Sequence, residues 1–93
     1  MKAAVIFEAT MTSEQAGRLA ALMKEHVGTR PADVDLATLL VEGDTVQLIA
    51  YWSSVGALEE YRRTASVLRG TALMREVGVE PTSVRIVKVP QFA

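Results

Sequence analysis

Trp52, the only tryptophan of the chain, and Tyr61 in the following segment are the side chains best suited to hold a flat aromatic ligand. An indole stacks on a ring, and a phenol donates to an oxygen that is gaining negative charge. His26, the sole histidine, falls near the end of a segment of helical spacing, where the negative end of a helix favours a cation, and it is the natural candidate for a general base. Arg62, with Arg63, Arg69 and Arg75 nearby, offers positive charge to an acidic substrate. Phe7 adds a second ring from the first strand. A base (His26), a donor (Tyr61) and an aromatic wall (Trp52, Phe7) are the parts that proton removal from a small aromatic in a dry pocket requires.

Each candidate also has a plainer reading. A tryptophan at a strand end commonly plugs a core, and Tyr61 lies at helical spacing from Leu58 and Ala65, which suits half-buried packing. His26 can simply cap a helix end at the surface. Glu59, Glu60 and Glu76 share the segment with the arginines and largely cancel their field, as on an ordinary solvated face. One histidine without any cysteine leaves only scattered carboxylates as ligands, so no metal is expected. Phe7 and Tyr51 invite comparison with RNA-binding sheets that stack bases on aromatic rings, although no basic rim accompanies them.

The elements that would position these residues are legible from periodicity. Ala3 to Thr10 contains Val5, Ile6 and Phe7 and reads as a largely buried first strand. Thr12 then opens a helix: its hydroxyl can accept from the third helical amide while Gln15 reaches back, a capping box, with Glu14 in the first turn. Ala16, Leu19, Ala20, Met23 and Val27 form the expected core stripe, with Glu14, Arg18 and Glu25 towards water. Gly28 is expected to end this helix in a left-handed cap, with Pro31 blocking continuation. Leu36 to Glu42 and Thr45 to Ser53 form a hairpin closed at Gly43-Asp44. Ser53 or Ser54 caps a second helix through Val55, Leu58, Tyr61, Ala65 and Leu68, weakened or bent at Gly70 and continuing through Leu73, Met74 and Val77 to Gly78. Pro81 resets the chain before a last strand from Val84 to Val89.

Strand, helix, strand, strand, helix, strand with a right-handed crossover predicts an α+β, ferredoxin-like βαββαβ domain spanning residues 1–93, its antiparallel sheet carrying both helices on one face. With 93 residues, 49% of them hydrophobic, the core is modest, and the lack of cysteine rules out a disulfide staple. Both faces of the Ala37–Trp52 hairpin are largely apolar, so the uncovered side is expected to meet a second copy, giving a homodimer through the sheet face. Burial of a few hundred Å² at about 25 cal/mol per Å² would favour pairing by several kcal/mol before the entropy of association is subtracted. A formal net charge of -1 supplies no field for nucleic acid or anionic lipid, so neither is expected as a partner. The N-terminal apolar run meets Glu8 too early for a signal peptide and no stretch approaches a membrane span, so a cytoplasmic location is expected.

The segment Tyr51-Trp52-Ser53-Ser54 ending the third strand, followed by Ala57-Leu58-Glu59-Glu60-Tyr61, resembles the tryptophan-serine-helix signature of the antibiotic biosynthesis monooxygenase-like proteins of the dimeric α/β-barrel superfamily. The resemblance covers nearly the whole chain in element order, with its sharpest motif at about residues 48–61. It implies a dimeric barrel with a pocket in each subunit between helices and sheet, used in characterised relatives for cofactor-free oxygenation of aromatic polyketides and quinols, or for haem degradation. The haem-degrading branch uses an asparagine on the first strand, a tryptophan on the second helix and a histidine further along it. Here those positions carry Phe7, Tyr61 and Thr71, so haem is not expected and no cofactor is called for. The polyketide-oxidising branch relies on tryptophan, tyrosine, asparagine and arginine side chains that stabilise a substrate anion, and Trp52 matches it. The resemblance thus implies a small aromatic ligand; the residues themselves offer Trp52, Phe7 and Arg62 to contact it and His26 and Tyr61 for a cofactor-free oxygenation or isomerisation. A non-catalytic ligand-binding or structural homodimer is the alternative, and an RNA-binding module a third.

Overall fold

The computed structural model describes residues 1–91. Strand β1 (Lys2–Thr10) leads into helix α1 (Ser13–Glu25) and a short 3-10 turn (Val27–Thr29); β2 (Val34–Glu42) and β3 (Thr45–Trp52) form the hairpin; α2 (Val55–Thr64) and α3 (Arg69–Glu76) precede β4 (Ser83–Val89). The four strands lie in the order β2-β3-β1-β4 with every neighbouring pair antiparallel, the arrangement expected of the ferredoxin-like α+β fold.

Local chemistry explains most of the boundaries. The Thr12 hydroxyl accepts from the Gln15 amide at 3.1 Å while the Thr12 amide donates to Gln15 Oε1 at 2.9 Å, the reciprocal box read from the sequence. Ser54 caps α2 in the same way, accepting from the Ala57 amide at 3.1 Å. Gly43 sits at φ 62°, where a residue with a Cβ would be strained, and closes the hairpin.

Strand register separates the sheet into two faces. Ala3, Val5, Phe7 and Ala9 of β1 pair across to Trp52, Ala50, Leu48 and Val46 of β3, and this face carries the helices. Leu19 of α1, Leu58 of α2 and Met74 of α3 are fully buried against it. A bulge at Asp35 shifts β2 by one residue, so Val34 joins the covered face while Leu36 faces the other way. The opposite face presents Ala4 and Ile6 of β1, Ile49 and Tyr51 of β3, Leu36 and Leu40 of β2 and Val87 and Val89 of β4, interrupted by Arg85 and by a Gln47–Glu8 hydrogen bond of 2.9 Å. No helix of the described residues covers it, and none is long and apolar enough to cross a membrane.

Three expectations are corrected. Helix α1 ends at Glu25 with His26 as its cap, and Gly28 lies in the 3-10 turn without a positive φ; the left-handed glycine after a helix is Gly78, at φ 82°. Ala20 is exposed and Val27 lies half exposed in the 3-10 turn beyond the helix, while Leu22 joins Met23 on the inner stripe. The second helix does not bend at Gly70; it stops at Thr64, restarts at Arg69, and Ala65 is extended at φ -87° and ψ 128°. The Thr64 hydroxyl donates to the Tyr61 carbonyl at 3.2 Å and to the Glu60 carbonyl at 3.4 Å, a back-bonding habit that competes with helix continuation. Gly70 serves a different purpose: a Cβ there would lie 2.4–2.6 Å from the ring of Phe7, so glycine lets α3 approach β1.

Candidate functional site

A cavity of about 320 Å³ lies between the covered face of the sheet and the helices. Val34 and Ala37 of β2 and the Arg30-Pro31 loop border it, and three further groups supply the rest. The β1–β3 pair supplies a floor of Phe7, Leu48 and Trp52, the end of α1 and its 3-10 turn supply one side with His26 and Val27, and α2 and α3 supply the other with Leu58, Tyr61 and Leu73.

Trp52, 4% exposed, is held in place by its strand, and the Tyr61 ring stands against it at 5.0 Å between centroids with a 42° tilt. Tyr61 reaches this position because Ser54 starts α2 directly after β3, which swings the second turn of the helix back over the strand end. Phe7 is buried beneath α3. His26 is half-buried at the end of α1; its carbonyl accepts from Arg69 at 2.8 Å, and its imidazole forms no hydrogen bond among the described residues. The structure therefore brings Trp52, Tyr61, His26 and Phe7 around one space. Arg62 lies apart from them, exposed on α2 and ion-paired to Glu59 at 3.2 Å.

Three cations line the cavity: Arg69, which the sequence grouped with Arg62, and Lys24 and Arg30, which residue type and spacing did not single out. Arg69 spans its mouth. Its Nη2 donates to the His26 carbonyl at 2.8 Å and to Thr29 Oγ1 at 3.1 Å, and its Nη1 donates to the Thr29 carbonyl at 3.0 Å. These bonds tie the start of α3 to the 3-10 turn. Arg30 Nη2 donates to the Asp35 carbonyl at 3.2 Å. On the outside the arginines are paired differently: Arg63 meets Glu60, and Arg75 meets Glu80, whose carboxylate pushes the Arg75 guanidinium further above its ordinary pKa. No group of three metal-ligating side chains occurs among the described residues.

Phe7 and Tyr51 do not share a face. Phe7 pairs with Leu48 on the covered side and Tyr51 with Ala4 on the open side, so the two rings cannot form one base-stacking platform.

The chain matches no family profile and no curated protein. Solved structures do resemble it. A candidate antibiotic biosynthesis monooxygenase from Chloroflexus aurantiacus is 16% identical with a TM-score of 0.64, the alignment covering 100% of this chain and 98% of that one. SnoaB, a cofactor-independent oxygenase from Streptomyces nogalater, is 14% identical with a TM-score of 0.65 over 98% of this chain and 95% of its own. A monooxygenase from the gene ActVA-Orf6 of Streptomyces coelicolor, solved with the ligand Nanaomycin D, is 18% identical with a TM-score of 0.63 over 99% and 88%. Identities this low speak to architecture, and over its full length the chain has the α+β ferredoxin-like fold of the antibiotic biosynthesis monooxygenase-like proteins.

Proposed function

We propose that this protein works as a homodimer of the antibiotic biosynthesis monooxygenase-like kind, in which each copy binds a small aromatic or quinol-like molecule beside Trp52 and oxidises it without a cofactor. The observation that carries this reading is the convergence of Trp52, Tyr61 and His26, from three separate segments, on one largely apolar cavity. Fold alone does not assign chemistry, and the names of SnoaB and the ActVA-Orf6 protein supply the class of reaction.

The residues divide the work as follows. Trp52 and Phe7 hold the ring, His26 takes a proton from the substrate, and the Tyr61 hydroxyl donates to the resulting oxyanion. The electron-rich carbanion adds to dioxygen, forming a C–O bond. Cleavage of the O–O bond then releases water, so that a ring CH2 and O2 become C=O and H2O with dioxygen as the oxidant. An apolar, water-poor lining strengthens both polar contacts.

The open face of the sheet, with Leu36 50% and Leu40 48% exposed, supports pairing of two copies through it. Light scattering that returned a stable monomer at micromolar concentration would overturn the dimer. Incubation with a panel of quinols and phenols, and with haem, while following oxygen uptake, absorbance and melting temperature tests the chemistry. Uptake with product formation supports the oxygenase. Stabilisation without uptake leaves a ligand-binding dimer, the second reading, which the mostly apolar lining favours. Trp52→Phe and Tyr61→Phe variants that respond to every ligand as the parent does remove this cavity from the account.

A further inference from the structure

Charge is distributed unevenly around the cavity. Lys24, Arg30 and Arg69 line it, and no aspartate or glutamate does, in a chain with 11 acidic residues against 10 lysines and arginines. Chance placement in so balanced a chain would bring acids with the bases. The pairing pattern sharpens the contrast. Outside the cavity Lys2, Arg62, Arg63 and Arg75 meet Asp35, Glu59, Glu60 and Glu80, while among the described residues Arg18, Arg85 and Lys88 form no ion pair; none of the three cavity cations forms one among the described residues either. Arg69 and Arg30 donate to neutral oxygens, which fix their direction without cancelling their charge. Lys24 forms no hydrogen bond among the described residues, and its ammonium is free to turn inwards over the opening.

We infer that the ligand is an amphipathic acid: an apolar ring system of modest size seated on Trp52 and Leu58, carrying a carboxylate or similarly compact oxyanion that meets Lys24 and Arg30 at the mouth under the field of Arg69. A volume of about 320 Å³ is at the low end of the ~300–1,000 Å³ typical of small-molecule sites, which suits a compact ring system. The inference rests on the reading of this cavity as the ligand site and adds to it the charge of what enters. Cations gathered at a low-dielectric mouth also draw an anion inwards before contact, so charge should act on capture as well as on final affinity.

The test compares 2-naphthoate with 2-naphthamide, the same ring with and without charge, by calorimetric titration of the full chain and by quenching of Trp52 fluorescence. Naphthoate is expected to bind about tenfold more tightly at low salt, the effect of a charge-assisted contact in a partly wet site, with the advantage shrinking as salt rises. The double variant Lys24→Gln/Arg30→Gln should remove most of the naphthoate advantage, the remainder reflecting Arg69, and change naphthamide binding less than about twofold. Lys88→Gln, which removes an exposed cation that does not line the cavity, should leave the ratio as it was. Equal binding of the two probes by the parent protein, or an equal loss for Lys88→Gln and the double variant, overturns the charge assignment while the cavity stands. If neither probe binds or quenches Trp52, the ligand site itself is wrong and the charge assignment falls with it. Melting curves of both variants, expected within a few degrees of the parent, separate these outcomes from misfolding.

Discussion

Leu48 on β3 is 3% exposed and Leu40 on β2 is 48% exposed, although both belong to the same hairpin and both point squarely away from the sheet. They differ in which side they leave it. Leu48 meets the helices on the covered face; Leu40, with Leu36, Ile6, Ile49 and Val87, stands on the open one. The covered face is almost wholly apolar, whereas the open face mixes these aliphatic residues with Glu8, Thr38, Gln47 and Arg85. The helices lie on the first. A chain of this size has cladding for one side, and under the proposed dimer the apolar residues of the second side serve association rather than folding. The cavity lies entirely on the covered side, where both the wall and the floor come from one copy.

Substitutions can break this contrast, and the strongest acts on the covered face. Leu58→Ala removes a fully buried side chain and should cost about 2–5 kcal/mol of unfolding free energy in urea titration, at any protein concentration. A loss below about 1 kcal/mol would mean that α2 is not packed on the sheet as described. Leu40→Asp addresses the other face. It should leave the fold of each copy intact but weaken pairing by roughly 1.5–3 kcal/mol per copy, read as dissociation in analytical ultracentrifugation. An unchanged sedimentation profile would show that the open face is not where copies meet. Gly70→Ala returns to the covered face with a smaller effect. Its Cβ would overlap the Phe7 ring, so either α3 lifts or the ring rotates, at about 1–3 kcal/mol, and any cavity ligand should lose affinity as its floor moves. A stability gain at Gly70→Ala, as in an ordinary exposed helix, would contradict the close approach of α3 to β1.

Much of the fold was legible because it is written in local chemistry. The Thr12–Gln15 box, the Ser54 cap and the Gly43 turn each satisfy backbone groups within a few residues, and each stands where its residues place it. The break between α2 and α3 was not legible, and it reorganised the reading of the arginines. Arg62 and Arg69 are seven positions apart, about two turns of an uninterrupted helix, and would share a face. The extended stretch at Ala65 separates them, so that Arg62 stays outside with Glu59 while Arg69 turns to the cavity mouth. Trp52, Tyr61 and His26 could be singled out because their types are rare in this chain. Lys24 and Arg30 could not, since their place at the cavity depends on the 3-10 turn and Pro31 folding the chain back across the end of α1, a tertiary event with no periodic signature.

The smallest effects offer the finest comparison, because two glutamines hold equivalent posts on the two faces. Gln15 closes the Thr12 box with its Oε1 and donates from Nε2 to the Val77 carbonyl at 3.2 Å, stitching the start of α1 to the end of α3. Gln15→Ala should therefore cost about 1 kcal/mol, whatever the protein concentration, since both bonds lie within one copy. Gln47 donates to Glu8 Oε1 at 2.9 Å on the open face. In an isolated copy water replaces that bond, and Gln47→Ala should change stability by less than about 0.5 kcal/mol. If a second copy covers the face, the same substitution leaves the Glu8 carboxylate dehydrated with one partner fewer, and pairing should weaken by about 1–3 kcal/mol. Dilution series of the two variants thus read the faces against each other. A Gln15→Ala cost that varies with concentration, or a Gln47→Ala effect that never does, would show that the covered and open sides have been assigned the wrong roles.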